Sequence, residues 1–193
     1  MAIKPWNGKP LSLKVIGTNA GTSMDGLDCC LCEISLSQNF NYHILDFNTY
    51  KYSKDLIKKI SDNVGKDNIN SIKSLDDYLG KIFRDIVKDF LKNKTVDLIS
   101  THGQTIIHQS GKRSIQIGNP KFMYDIFKIP IIHNFRQKDI SLGGTGAPLV
   151  PYLDWLLFQF PTLKITNPIN FIHSCRLYTF FRFTMKPQQA LHV

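Results

Sequence analysis

A ten-residue loop, GTNAGTSMDG over 17–26, constrains this chain more than any other feature of its sequence. The loop follows the short apolar run LSLKVI and contains three glycines, three hydroxyl side chains and the carboxylate of Asp25. Glycines leave backbone N–H groups uncovered, and successive N–H groups form a concavity that suits an anion. The carboxylate would repel a bare phosphate, but it suits a Mg²⁺ ion held between it and phosphate oxygens. The loop has no Walker lysine, and a plain hairpin turn is the alternative interpretation.

The segments around this loop have the patterns of strands and helices. We predict three strands that form an antiparallel meander, over 11–18, 27–36 and 42–51. Ser53 is a suitable N-cap for a short helix over 54–60. Residues 70–93 repeat apolar side chains every three or four positions, which predicts an amphipathic helix that stops at Asn93.

The rest of the chain alternates short strands with helices. Further strands are predicted over 96–101, 114–117 and 129–135. Asn119 and Pro120 fit the N-cap and the first position of a helix over 121–128, and the glycine loop 141–151 leads into another helix. Three strands followed by this alternation predict an α/β fold with a mixed sheet.

Charge and hydropathy narrow the classes of partner. A net charge of +9 is compatible with a protein that binds nucleic acid. Most lysines, however, alternate with acidic residues, as in KSLDDYLGKIFRDIVKDFLKNK. That pattern is typical of a solvated helix face, so we expect no nucleic-acid partner. No apolar stretch is long enough for a membrane span, and the first residues lack the apolar core of a signal peptide. We therefore expect a cytoplasmic protein without a membrane partner.

Four cysteines occur, at 29, 30, 32 and 175. Three lie in the second predicted strand, where Cys30 and Cys32 share one face and Cys29 takes the other. Their spacing fits neither a zinc site nor a disulfide framework. We interpret them as small core residues in a reducing compartment.

Three other segments carry polar side chains that suit a ligand. HGQTIIH, 102–108, has two histidines at a poor spacing for a metal, so a structural, hydrogen-bonded histidine is the alternative. Arg136 and Asp139 form either a local ion pair or, for the arginine, a contact to the oxygens of a polar ligand. GGTGAP, 143–148, is a glycine loop before a helix and suits anions or sugar hydroxyls.

Four blocks in order, IGTNAGTSMDGLD, STHGQTIIH, QIGNP and NFRQKDISLGGTGAPLVP, resemble the N-terminal half of the anhydro-N-acetylmuramic acid kinase family over residues 13–158. The resemblance implies an RNase H-like lobe of the actin-like, sugar-kinase fold. It also implies an amino-sugar kinase that uses ATP and Mg²⁺ to open a 1,6-anhydro ring and phosphorylate the sugar at its 6-position. A non-catalytic remnant that binds sugar or phosphate is the alternative.

The resemblance further implies roles for single residues. The ATP phosphate loop would comprise Asn19, Ala20, Gly21, Thr22, Ser23, Met24, Asp25 and Gly26, with Asp25 at the metal. The sugar pocket would be lined or supported by His102, Gly103, Gln104, Asn119, Arg136 and Asp139. The pairs Asn19-Ala20 and His133-Asn134, together with Thr145, depart from the family's usual Met-Ser, Ala-Asp and Gln, which indicates a divergent member and leaves a different sugar open.

The amino-acid composition and the periodicity of the chain change after Leu163. Residues 164–193 contain no acidic residue, crowd their aromatics and keep no regular period. We expect an N-terminal kinase lobe over 1–163 and an aberrant or disordered tail over 164–193. By the resemblance, the general-base aspartate belongs to a second lobe that is missing here, so no catalytic residue is assigned and little activity is expected from this chain alone. A homodimer stays open.

Overall fold

The computed structural model describes residues 10–21, 23–37 and 40–147. Its first three strands form the predicted antiparallel meander: β1 (Leu11–Ala20), β2 (Gly26–Leu36) and β3 (Phe40–Lys51). β1 runs two residues further than predicted, so the first four residues of the polar loop, 17–20, belong to this strand. The predicted boundary at 163, the helix expected after 151 and Cys175 lie outside the described residues.

Two helices follow the meander, α1 (Lys54–Ser61) and α2 (Ile69–Leu91). The Leu56 N–H donates to Ser53 Oγ at 3.2 Å, which confirms the predicted N-cap of α1. α2 begins after Asn68, whose Oδ1 accepts from the Ser71 N–H at 3.1 Å, and it ends two residues before the predicted stop.

The apolar stripe of α2 forms the main core with one face of the sheet. Its buried residues are Leu75, Leu79, Gly80, Phe83, Val87, Phe90 and Leu91. They join a cluster with sheet residues that include Ile16, Leu27, Leu31 and Ile99. Burying a side chain of this size contributes roughly 1.5–3 kcal/mol, so this stripe fixes α2 on the sheet.

The second half adds β4 (Leu98–Gln109), β5 (Arg113–Ile117), α3 (Lys121–Phe127), β6 (Ile131–Ile132) and α4 (Phe135–Ser141). β4 lies parallel to β1, forms an antiparallel hairpin with β5 and pairs in parallel with β6. The strand order is β3-β2-β1-β4-β5, with β6 beside the first half of β4. This mixed sheet with its helices confirms the predicted α/β fold.

Three elements differ from their predictions. β4 continues to Gln109 instead of ending at 101, because the residues from Gln104 onward pair with β5 even though Gly103 has a φ of +73°. β6 covers only two half-buried residues of the predicted 129–135, because α4 begins at Phe135. α4 itself was not predicted, because its seven residues bury only Phe135 and Asp139 and give no clear period.

The three cysteines of β2 are buried, as expected. Cys29 belongs to the core beneath α2, whereas Cys30 and Cys32 lie on the opposite face. Among the described residues, no helix combines the length and the apolar composition that crossing a bilayer requires.

Candidate functional site

Residues 21–25 form the turn that joins β1 to β2. The Met24 N–H donates to Gly21 O at 3.1 Å, and Met24 has a φ of +55°. Ser23 and Asp25 are exposed at the tip, where Ser23 Oγ donates to Asp25 Oδ1 at 2.8 Å. Thr22 lies outside the described residues. The segment is therefore a hairpin turn that presents a hydroxyl and a carboxylate to solvent, and its role as a phosphate loop stays a prediction.

Gly26 fixes the end of this turn against β3. A Cβ at Gly26 would overlap Tyr50 O and lie 3.1 Å from Lys51 Cα, so a side chain does not fit. The carbonyl oxygen of Asp25 accepts from the Tyr52 N–H at 3.0 Å. The backbone of Asp25 is thus anchored while its carboxylate remains exposed.

The beginning of the predicted phosphate loop belongs to the end of β1. Asn19 pairs with Asp28 of β2 and is half-buried. Ala20 is buried in the core and pairs with Gln104 of β4, after a register shift that follows Thr18. The Ala20 side chain therefore serves packing, and the exposed residues described in this loop are Ser23 and Asp25.

Gln104 ties β4 to the loop. Its side chain is fully buried, and Nε2 donates to Gly21 O at 3.0 Å. Its Oε1 is buried without a hydrogen-bond partner among the described residues. The preceding Gly103 lets the strand turn there, since a Cβ at that position would lie 2.8 Å from Ile117 O.

His102 lies on the same strand and contacts α4. Its Nε2 accepts from Arg136 Nε at 2.9 Å, so the ring proton is on Nδ1, which donates to Gly103 O at 2.9 Å. Burial, together with the nearby Arg136 charge, lowers the pKa of His102 to about 4. The imidazole is therefore neutral near pH 7 and orients the arginine.

Arg136 and Asp139 both hold the glycine loop that follows α4. Arg136 Nη1 donates to Gly146 O at 2.8 Å, and the Gly146 N–H donates to Asp139 Oδ2 at 2.9 Å. A Cβ at Gly144 would overlap the Asp139 carboxylate, so this position needs glycine. The carbonyl and the N–H of Gly146 are thus held by two side chains that lie one turn apart on α4.

Asn119 is engaged in the fold. Its Nδ2 donates to Asp77 Oδ1 at 2.7 Å, and its Oδ1 accepts from the Lys121 N–H at 3.0 Å. A Cβ at Gly80 would lie only 2.9 Å from the Asn119 backbone nitrogen, so the turn before α3 sits tightly on α2. The N-cap of α3 is Pro120, so the predicted N-cap at Asn119 is one residue too early. A sugar contact by Asn119 stays a prediction.

The remaining predicted site residues meet around the carboxyl ends of the parallel strands. Gln104 reaches the loop after β1, and His102 reaches Arg136, which follows β6. Ligands bind at this edge of open α/β sheets. The sequence did not predict that the Asp139 carboxylate binds the Gly146 N–H and lies against Gly144. The glycines in SLGGTGAP indicate a close backbone approach, but nothing in the sequence shows that α4 is the element they approach.

A search of solved structures finds RuvC from Thermus thermophilus, at 9% sequence identity and a TM-score of 0.37. That match covers 89% of this chain and 97% of RuvC.

Sequence comparisons give closer matches. A family model described as anhydro-N-acetylmuramic acid kinase matches residues 13–167. A curated protein of that name from Francisella tularensis subsp. novicida (strain U112) is 36% identical over 159 residues, which cover 75% of this chain and 42% of the relative. Another, from Bacillus thuringiensis subsp. konkukian (strain 97-27), is 35% identical over 162 residues, which cover 77% of this chain and 42% of the relative. The chain thus spans less than half the length of these relatives, and it belongs to the anhydro-N-acetylmuramic acid kinase family.

Proposed function

We propose that this chain forms the first lobe of an ATP-dependent kinase that opens the 1,6-anhydro ring of anhydro-N-acetylmuramic acid and phosphorylates the sugar at its 6-position. The observation that carries the proposal is the hydrogen bond from Gln104 Nε2 to Gly21 O. It joins the exposed loop, suited to phosphates, to the strand that also positions Arg136 through His102. The names of the curated relatives support the substrate.

The loop after β1 fits a magnesium–nucleotide complex. Asp25 is exposed, and its Oδ1 accepts from Ser23 while Oδ2 makes no hydrogen bond within the described residues. One carboxylate is a usual protein contribution to Mg²⁺ when phosphates and water complete the shell. When bound, Mg²⁺ would neutralise charge on the transferred phosphate. Asp25 would hold the ion, and the residues after Gly21 would face the phosphates.

Arg136 fits the acidic part of a muramic sugar. Its Nε and Nη1 are used by His102 and Gly146, while Nη2 has no hydrogen bond among the described residues. Burial lowers the pKa of the Arg136 guanidinium, so the cation has lost hydration. A carboxylate or another charged oxygen on the sugar would restore that lost stabilisation through a charge-assisted hydrogen bond.

A lobe that binds sugar or phosphate without turnover is the second candidate. The matched regions cover 42% of each relative, and the catalysis of the whole family protein is proposed to need more than the residues described here. This candidate uses the same Asp25 and Arg136 contacts and predicts binding without ADP release.

ADP release and nucleotide binding separate the two candidates. The 193-residue chain is mixed with ATP, Mg²⁺ and 1,6-anhydro-N-acetylmuramic acid, beside Asp25→Asn and the control Asp62→Asn at the exposed end of α1. ADP that requires the sugar and is lost only in Asp25→Asn supports the kinase. ATP binding without ADP release, weakened in the same variant, supports the binding lobe. A folded chain that releases no ADP and binds neither ATP nor the sugar contradicts both.

A further inference from the structure

Two of the buried thiols in β2 form a pair. Cys30 Sγ and Cys32 Sγ lie 3.4 Å apart, and the residues are 7% and 2% exposed. Cys29 is equally buried but belongs to the core on the other face, because successive side chains of a strand alternate. The strand therefore brings two sulfur atoms to one place and keeps the third away from them.

A disulfide does not fit this pair while β2 is intact. A disulfide needs its Cβ atoms about 3.5–4.5 Å apart. Residues two apart on an extended strand are related by a translation of about 6.7 Å along the strand, which also separates their Cβ atoms. Both cysteines are paired with β1 on one side and with β3 on the other, so β2 cannot shorten locally without losing ladder hydrogen bonds. Oxidation to a disulfide is therefore disfavoured in the folded chain.

We propose that Cys30 and Cys32 form a two-coordinate site for a soft monovalent cation of the copper(I) class. Thiolates select soft metal ions. A metal–thiolate bond is about 2.3 Å long, so a linear pair of them separates the sulfur atoms by about 4.6 Å. That separation lies between the 3.4 Å of the free pair and the spacing of the two residues along the strand. Small rotations of the two side chains reach it, and the backbone stays in place.

The binding step is balanced without an oxidant. Two metal–sulfur bonds form, two S–H bonds break, both protons leave to solvent, and no electron is transferred. The bound pair carries one negative charge in total, whereas a bare dithiolate would carry two. A single soft cation therefore makes two adjacent buried thiolates tolerable.

A bulge in the neighbouring strand β3 lies beside the pair and offers a route from solvent. The register between β2 and β3 shifts between Leu31 and Cys32, so Leu45 is the extra residue opposite the pair. Ile44 and Leu45 are 40% and 47% exposed on this outer strand. Ladders are locally disrupted at such a bulge. We expect the ion to enter there, away from the oxygen-rich loop that would hold Mg²⁺.

Copper(I) titration tests the site with the full chain. All variants carry Cys175→Ser, so that the thiol outside the described residues cannot contribute. The chain is titrated without oxygen against a chromophoric copper(I) chelator, and the ultraviolet thiolate-to-copper band is recorded. We expect one equivalent to bind to Cys175→Ser and to the matched control with Cys29→Ser added. We expect none to bind when Cys30→Ser or Cys32→Ser is added.

Thermal unfolding with and without one equivalent of copper(I) provides the second readout. Binding to the native state alone raises the melting temperature, so the rise should occur in Cys175→Ser and vanish with Cys30→Ala, a variant that keeps a small apolar side chain. The proposal would be overturned if the Cys30 or Cys32 variant bound copper(I) as well as the Cys175→Ser parent does. Loss of binding in the Cys29 variant, or failure of the folded parent to compete with the chelator, would overturn it too. A Cys30–Cys32 disulfide formed with diamide in a chain that keeps its native circular dichroism would also contradict it.

Discussion

Gln104 and Gly21 are 83 residues apart in sequence and are joined by a hydrogen bond from Gln104 Nε2 to Gly21 O. The bond links the middle of β4 to the first residue after β1. Because Gln104 is fully buried, no water can replace it without rearrangement of the strand ends.

Gln104→Leu should therefore destabilise the chain and loosen the loop. Removing a buried donor leaves its acceptor unsatisfied, which costs about 1–3 kcal/mol of unfolding free energy. Urea unfolding measures this loss. The control Gln109→Leu, at the exposed end of the same strand, should change stability by less than about 0.5 kcal/mol. Equal effects in the two variants would show that the bond to Gly21 contributes nothing.

His102 should make stability depend on pH between 4 and 6.5. Its pKa falls from 6.5 to about 4 on folding, so the neutral form is favoured in the native state. The stability that this shift contributes is fully present above pH 6.5 and is lost as the pH falls toward 4, up to about 3 kcal/mol. Urea unfolding of wild type and His102→Gln at several pH values measures it. The stability difference between them should shrink as the pH falls, and a constant difference would refute the prediction.

Gly26→Ala should be poorly tolerated. The added Cβ would overlap Tyr50 O, a backbone atom of the paired strand β3 that cannot turn aside. Overpacking of this kind typically costs about 1–3 kcal/mol. The matched control is Gly21→Ala in the same turn, where the nearest atom to the new Cβ is Ser23 Oγ at 3.2 Å, the end of a movable side chain. The melting temperature of Gly26→Ala should be well below that of Gly21→Ala, and the reverse order would be inconsistent with this packing.

Gly144→Ala should release the glycine loop from α4. Its Cβ would overlap the Asp139 carboxylate, which holds the Gly146 N–H, so the carboxylate must move and the bond must break. Amide hydrogen exchange at Gly146 should accelerate about tenfold or more, the equivalent of about 1.4 kcal/mol of lost protection. Thr145→Ala, an exposed side chain in the same loop, is the control and should exchange as wild type does. Unchanged exchange in Gly144→Ala would show that Asp139 does not protect Gly146.

The elements that the sequence predicts well are those whose signals are local. The strands on either side of the polar loop are short runs rich in apolar residues, and α2 repeats buried apolar residues every three or four positions, so each element can be recognised from its own residues. The cap at Ser53 depends on a residue only three positions away. In these cases tertiary packing agrees with local preference.

The errors concern residues whose conformation is decided by distant partners. The sequence at Gly103 is typical of a strand end, yet β4 continues through it at a positive φ because the residues from Gln104 onward pair with β5. The pairing of His102 with Arg136 crosses 34 positions, and the bonds of Asp139 go to glycines without side chains. Periodicity cannot reveal such contacts, so the sequence identified these residues without showing which partners they hold.

His102 and Gln104 are separated by one residue on a strand that is paired along both edges. Any displacement of β4 would carry the partner of Arg136 and the partner of Gly21 together. The distance between the two halves of the candidate site is therefore set within three consecutive residues of one strand, around the positive φ of Gly103. Substitutions in α4 or in the loop after it can therefore change the surroundings of Arg136, while the contact between Gln104 and Gly21 keeps its place.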